Sequence, residues 1–387
     1  MMIAGQVKNR RSREYMYSKP IRILHVIGIM NRGGAETMIM NLYRNINKTK
    51  VQFDFVENEG YDAAFDQEIR ELGGRIYHCP RYRGKNHFAY AKWWNDFFAE
   101  HTGEYHIVHG HIGSTAAIYL SIAKKYDCYT IAHSHSAGSG SIMYRIFAYP
   151  TRYVADHFFA CSNDAGISRY GRKVGNDEKR CEVLNNAIDT KKFTFNTEIR
   201  SRMRNELHFN EDSLIIGHVG RFVDVKNHLF LIDVFEQIHL RNPNSALLLV
   251  GDGELRPKIE AAIAGKNLDD SVIMVGIQPN VWDYYQIMDV FVMPSLYEGL
   301  PVSMVEAQAA GLPCLISTNV PRETAITDLV EFIPLENGAA SWADCVQKIV
   351  YDPRRNLLNE IVTAGYDIST TSKWLEDFYM KVVNSRG

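Results

Sequence analysis

From residue 21 onward, short apolar runs alternate with longer stretches of helical spacing, and this alternation restricts the fold more than any other feature of the chain. The runs at 21–27, 51–56, 75–78, 106–110, 128–132, 157–161 and 181–184 read as strands, with helical segments between them. Strands that are apolar on both faces belong in a parallel sheet covered by helices. Residues 185–196 have no strong periodicity and read as a linker. The pattern then restarts, with six further strands at 214–219, 246–250, 272–275, 290–293, 314–317 and 331–334. The expected fold is α/β: two Rossmann-like, doubly wound parallel-sheet domains, 20–195 and 196–369, facing an interdomain cleft. Trp374, Leu375, Phe378, Tyr379 and Val382 have helical spacing, so a C-terminal helix over 370–387 is expected to pack back on the first domain. Residues 1–19 are basic (Lys8, Arg10, Arg11, Arg13, Lys19) and lack the apolar centre of a secretory signal. They read as a flexible arm, or as an extension upstream of a start at Met16.

Composition narrows the class of protein. The 43 Lys and Arg against 45 Asp and Glu give a net charge of −2, which argues against a nucleic-acid partner. The six cysteines are scattered without a Cys-x-x-Cys pair, so they are expected to be reduced, in a cytoplasmic protein. No run of apolar residues is long enough to span a bilayer.

Residues 294–313 (PSLYEGLPVSMVEAQAAGLP) concentrate the chemistry. They follow a buried strand and set Glu298 in a loop and Glu306 on a helix begun by Pro301. Free N–H groups around Gly299 and Leu300, with the helix dipole, suit a phosphate. Glu306, about one turn further on, suits the paired hydroxyls of a ribose. Glu298 lies where parallel sheets bind ligands, at a strand's C-terminal end. The segment reads as a nucleotide site.

Upstream, residues 220–227 (GRFVDVKN) follow another strand directly. Arg221 offers a planar fork and Lys226 a point charge, a pairing suited to a diphosphate. Asn227 is expected to cap the next helix. The turn at 250–253 (VGDG) lacks the third glycine of a dinucleotide fingerprint, which disfavours an NAD-dependent dehydrogenase. Gly276 begins a further strand-end loop whose backbone suits a base edge.

In this order, these motifs resemble the retaining glycosyltransferases of family 4, which have the GT-B fold, over nearly the whole chain from Ile21. The resemblance implies that Glu306 holds the donor ribose, that Glu298 lies by the donor sugar with the amides of Gly299 and Leu300 on the phosphate, and that Arg221 and Lys226 hold the leaving diphosphate. It implies neither a metal nor a cofactor beyond the nucleotide sugar, with UDP as the nucleotide of most such enzymes.

In the first half, Gly33 and Gly34 stand in a loop (31–37, NRGGAET) after the first strand, where glycine lets a ligand approach the backbone. The loop resembles that of exopolysaccharide and capsule transferases, which approaches the donor phosphate and the acceptor. His109 and His111, and His133 and His135, form two His-x-His pairs at strand ends. In the resembling family one such histidine meets the sugar, and both His133 and His135 fit. The spacing also invites zinc; with no further Cys or His ligand apparent along the chain, none is assigned. Residues 81–98 run from basic to aromatic and read as a core helix after a solvated loop, with a membrane-surface helix as the other reading.

The expected activity is transfer of a hexose from a nucleoside-diphosphate donor to a hydroxyl of a glycan or lipid-linked acceptor, in bacterial exopolysaccharide or capsule biosynthesis. The expected place is the cytoplasm or the inner face of the membrane. A GT-B nucleotide-sugar 2-epimerase and a non-catalytic nucleotide-sugar scaffold are the alternatives.

Overall fold

The computed structural model describes residues 19–31, 33–135, 146–349 and 354–386. The basic arm up to residue 18 and Arg32 of the glycine loop lie outside them. The chain divides into two compact units at Asn186/Ala187 and at Asp367/Ile368. Both divisions fall earlier than the expected 195/196 and 369/370. Residues 187–195 already belong to the second unit because Ile188 and Phe193 enter its core. The Ile188 N–H also donates to the Tyr366 carbonyl at 2.9 Å, and Thr190 Oγ1 donates to Asp367 at 2.8 Å.

Unit 1 holds a seven-stranded parallel sheet. Its strands are β1 (Ile21–Val26), β2 (Val51–Glu57), β3 (Ile76–His78), β4 (Tyr105–Gly110), β5 (Tyr129–Ser134), β6 (His157–Ala160) and β7 (Cys181–Val183). The order β3-β2-β1-β4-β5-β6-β7 reverses direction between β1 and β4. At such a reversal the loops leaving the two strands part, and a ligand can enter between them. Below that point Asp54, fully buried on β2, ties three strands together. Arg22 of β1 grips it with Nε at 2.6 Å, Tyr105 of β4 donates to it at 2.8 Å, and the Arg75 N–H donates at 2.7 Å.

The C-terminal helix Ile368–Arg386 belongs to unit 1. It buries Leu375, Tyr379, Val382 and Val383. Glu376 anchors it, accepting from the Asn47 N–H and pairing with Lys50, both at 3.2 Å. The aromatic segment forms the helix His87–Glu100, which buries Tyr90, Trp94, Phe97 and Phe98 and leaves Phe88 exposed. Its spacing therefore serves the core.

Unit 2 holds a six-stranded parallel sheet of β8 (Leu214–Val219), β9 (Ser245–Val250), β10 (Val272–Gly276), β11 (Val290–Met293), β12 (Cys314–Ser317) and β13 (Val330–Ile333). The order β10-β9-β8-β11-β12-β13 reverses between β8 and β11. Asp289, just before β11, fixes that strand's entry. It accepts from Arg200 at 2.5 Å, from Arg204 at 2.8 Å and from the Ile215 N–H at 2.7 Å. All six cysteines are free thiols, and among the described residues no helix is long and apolar enough to cross a membrane.

Candidate active site

The loops leaving β8 and β11, at the reversal of the second sheet, carry Arg221, Lys226 and Glu298. Two hydrogen bonds stitch the loops together: Leu296 N–H to the Val225 carbonyl at 2.8 Å, and Asn227 Nδ2 to the Pro294 carbonyl at 3.1 Å. Asn227 thus does not cap the following helix. It takes a left-handed conformation (φ 56°, ψ 44°) that ends the 3-10 turn Asp224–Lys226, and its amide reaches across to β11 instead. The stitch brings Lys226 Nζ within 2.7 Å of Glu298 Oε1, an ion pair whose side chains are only 14% and 12% exposed. Arg221 is exposed and has no ion pair among the described residues.

The loop after β9 supports this arrangement. Gly251 (φ +139°) lies so close to the Gly220 carbonyl that a Cβ there would come within 2.0 Å of it. Only glycine lets the loops after β8 and β9 lie this close. The Gly251 N–H donates to the Gly276 carbonyl at 2.9 Å, so Gly276 (φ +71°) is tied into the same set of strand-end loops.

Glu306 projects from the helix Val302–Ala309, whose start is Pro301. Its Oε2 accepts from the Tyr285 hydroxyl at 2.7 Å; the same hydroxyl lies 3.2 Å from the Ser303 carbonyl. Burial pushes the Glu306 carboxyl up to about 7, and the Tyr285 bond offsets only part of that rise. Gly299 has open space around it, and the half-buried Leu300 packs against the unit 2 core. The N–H groups of the helix's first turn precede any intrahelical acceptor. Tyr285 escaped the sequence reading because a tyrosine on an apolar helix, 21 positions from its partner, looks like packing.

In unit 1 the histidines gather at the reversal of the first sheet. His25 of β1 pairs in register with His109 of β4. His25 Nδ1 lies 3.0 Å from His111 Nε2, and His111 Nδ1 lies 2.8 Å from His135 Nε2. A second chain runs from the Tyr379 hydroxyl to His109 Nδ1 at 2.7 Å, then from His109 Nε2 to His133 Nδ1 at 3.2 Å. Burial, with help from neighbouring imidazoles, drives His109, His111 and His133 well below the usual range and takes His25 to about 3. Burial alone takes His135 to about 4. All five rings are therefore neutral near pH 7. His133 is buried inside the sheet, whereas His135 stands just past the end of β5 and is partly buried. His25 and Tyr379 complete these chains and were not foreseen, since neither stands in a motif.

Gly33 precedes the helix Gly34–Asn45, and neither glycine has a positive φ; a Cβ on Gly34 would meet nothing. Glu57, buried at the end of β2, holds the preceding loop by accepting from the Met30 N–H at 2.8 Å.

Two family descriptions match the chain: Glycosyltransferase Family 4 over residues 32–192 and Glycosyl transferases group 1 over residues 199–367. EpsF of Bacillus subtilis, named as a glycosyltransferase, is 35% identical over 364 residues, covering 91% of this chain and 94% of its own. The capsular polysaccharide biosynthesis glycosyltransferase CapH of Staphylococcus aureus is 24% identical over 93% of this chain and 99% of its own. Among solved structures, Anabaena HepE in complex with UDP superposes with a TM-score of 0.76 at 15% identity, over 93% of this chain and all of that one. Two reversing parallel sheets of this size are the GT-B architecture. With that fold, with both family descriptions matched in sequence order, and with a relative 35% identical along nearly its full length, the chain belongs to the family 4, group 1 glycosyltransferases.

Proposed function

We infer that the enzyme takes its sugar from a UDP-linked donor and passes it, with the anomeric configuration retained, to a hydroxyl of a glycan or lipid-linked acceptor. The work belongs to exopolysaccharide or capsule assembly, at the cytosolic face of the membrane. CapH, named for capsular polysaccharide biosynthesis, supports the setting, and the HepE complex with UDP supports the nucleotide. The observation that carries the reading is the joining of Lys226 and Glu298 by stitched loops at the sheet reversal, next to the helix that bears Glu306.

In this reading Glu306 Oε1 and Oε2 accept from the ribose hydroxyls, with Tyr285 fixing the carboxylate. Arg221 and Lys226 hold the diphosphate, and the N–H groups of Gly299 and Leu300 complete its cradle. As the sugar–phosphate bond breaks, negative charge grows on the departing oxygen, and these preplaced charges stabilise it without reorganising. Lys226 must share its ammonium between Glu298 and the phosphate, so Glu298 keeps the cation in place before the donor arrives. Glu298 then faces the sugar. The Gly276 loop takes the base edge, and Gly33 and Gly34 approach the donor phosphate and the acceptor. His135 meets the sugar, because His133 is committed within the sheet. No covalent nucleophile, metal or cofactor is assigned to this step.

A thermal-shift panel of UDP-, GDP- and ADP-sugars tests the donor. A ligand that binds only the folded chain raises the midpoint by mass action. UDP-sugars are expected to raise it and the others to leave it unchanged; stabilisation by GDP- or ADP-sugars alone would overturn the UDP reading.

A further inference from the structure

We propose that His111, His133 and His135 form a zinc-binding site at the ends of β4 and β5 in unit 1. Each of the three offers a ring nitrogen within 4.8 Å of the other two. Tetrahedral zinc with Zn–N bonds of about 2.0–2.1 Å needs nitrogens about 3.3 Å apart, so the stacked His133 and His135 rings (interplanar angle 30°) must turn toward one point as the ion binds. A His-x-His pair on one strand and a third histidine on its neighbour is a natural way to present three imidazoles to one ion.

The outer groups are already in place. Zinc on a histidine requires the other ring nitrogen to be held, usually as a donor. His111 can donate its Nε2–H to His25 Nδ1, 3.0 Å away, which frees Nδ1 for the metal. His133 can donate its Nδ1–H to His109 Nε2 at 3.2 Å, and His109 can pass the same polarity to the Tyr379 oxygen at 2.7 Å. His111 Nδ1 exchanges its 2.8 Å contact with His135 Nε2 for the metal; beyond that the chains need only a choice of tautomer, so neutral rings bind zinc here without losing a proton.

A second observation points to a missing ligand. His133 Nε2 and His135 Nδ1 are buried and have no hydrogen-bond partner among the described residues. A buried polar atom without a partner costs about 1–3 kcal/mol, and an ion at this position would relieve that cost. Among the described residues the three rings line a cavity shared with Gly110 and Gly113, which leaves room for a fourth ligand. The His-x-His spacing raised zinc in the sequence, but His25, His109 and Tyr379 become supports for these rings only in the folded sheet.

The binding does not depend on the proposed reaction. Its consequence does: zinc would occupy His135, the imidazole assigned to the sugar, and would inhibit transfer until a chelator removed it.

The test is a zinc chloride titration of the full chain in competition with a chromophoric chelator. One equivalent is expected to bind, about a hundredfold more weakly in His111→Gln and His135→Gln and unchanged in the exposed-site control His87→Gln. Should the variants fold poorly, cobalt substitution of the unaltered chain decides: the expected visible spectrum is tetrahedral, with nitrogen and oxygen ligands. No stoichiometric binding, equal affinity in all three variants, or a cobalt–thiolate band from the free cysteines would overturn the proposal.

Discussion

Glu306 sits in an environment far from what its side chain prefers in water. Burial lifts its carboxyl to about 7, while the Tyr285 hydroxyl holds one oxygen at 2.7 Å. In the unfolded chain the same group ionises near its ordinary value of 4.5. Before any ligand binds, this shift therefore lowers stability as pH rises from that value through about 7. For nucleotide binding the sign reverses, because the ionised carboxylate can accept from both ribose hydroxyls and the protonated acid loses an acceptor. UDP affinity, followed by calorimetry, is expected to weaken as pH falls through about 7. Glu306→Gln is expected to bind about tenfold more weakly, with no inflection in that range. A flat profile in the unaltered enzyme would count against the ribose role. The positions of Arg221, Lys226 and Glu298 in strand-end loops, and of Glu306 on the helix that follows, were legible from sequence because apolar strands and Pro301 mark those boundaries. Tyr285 and His25 were not, because their partners come from elements distant along the chain.

At the scale of elements, parallel strands were the readable part. Each is an apolar run closed by a turn, and all thirteen formed at or within about two residues of the expected ends. What was not readable was how loops join. Asn227 has the composition of a cap, yet it spends its amide on the Pro294 carbonyl and so fixes β8 against β11. Asp54 does similar work deeper in unit 1, where it receives Arg22, Tyr105 and the Arg75 N–H. Its replacement strands a largely buried guanidinium. Asp54→Ala is expected to cost about 3–5 kcal/mol in urea unfolding. Glu68→Ala, which breaks an exposed pair with Arg44, should cost no more than about 1 kcal/mol. Equal losses in the two variants would show that Asp54 is not the tie between these strands.

At the scale of the whole molecule, the same device appears once in each unit: a parallel sheet reverses its order, and the reactive side chains cluster beside that reversal. Doubly wound architecture followed from periodicity alone, but the division of the chain did not. Residues 187–195 look like linker because a few buried contacts, not a repeating pattern, hold them to unit 2. Family membership and GT-B fold are established by the relatives and the sheets; the donor assignment rests on four side chains. The most direct test compares UDP with uridine by calorimetry, in the unaltered enzyme and in the Arg221→Ala, Lys226→Ala double variant. The diphosphate should make UDP at least about a hundredfold tighter than uridine in the unaltered enzyme, since each charge-assisted bond contributes about 1.5–3 kcal/mol. In the double variant that preference should collapse while uridine binding persists. A double variant that still prefers UDP as strongly would contradict the assignment of Arg221 and Lys226 to the leaving diphosphate.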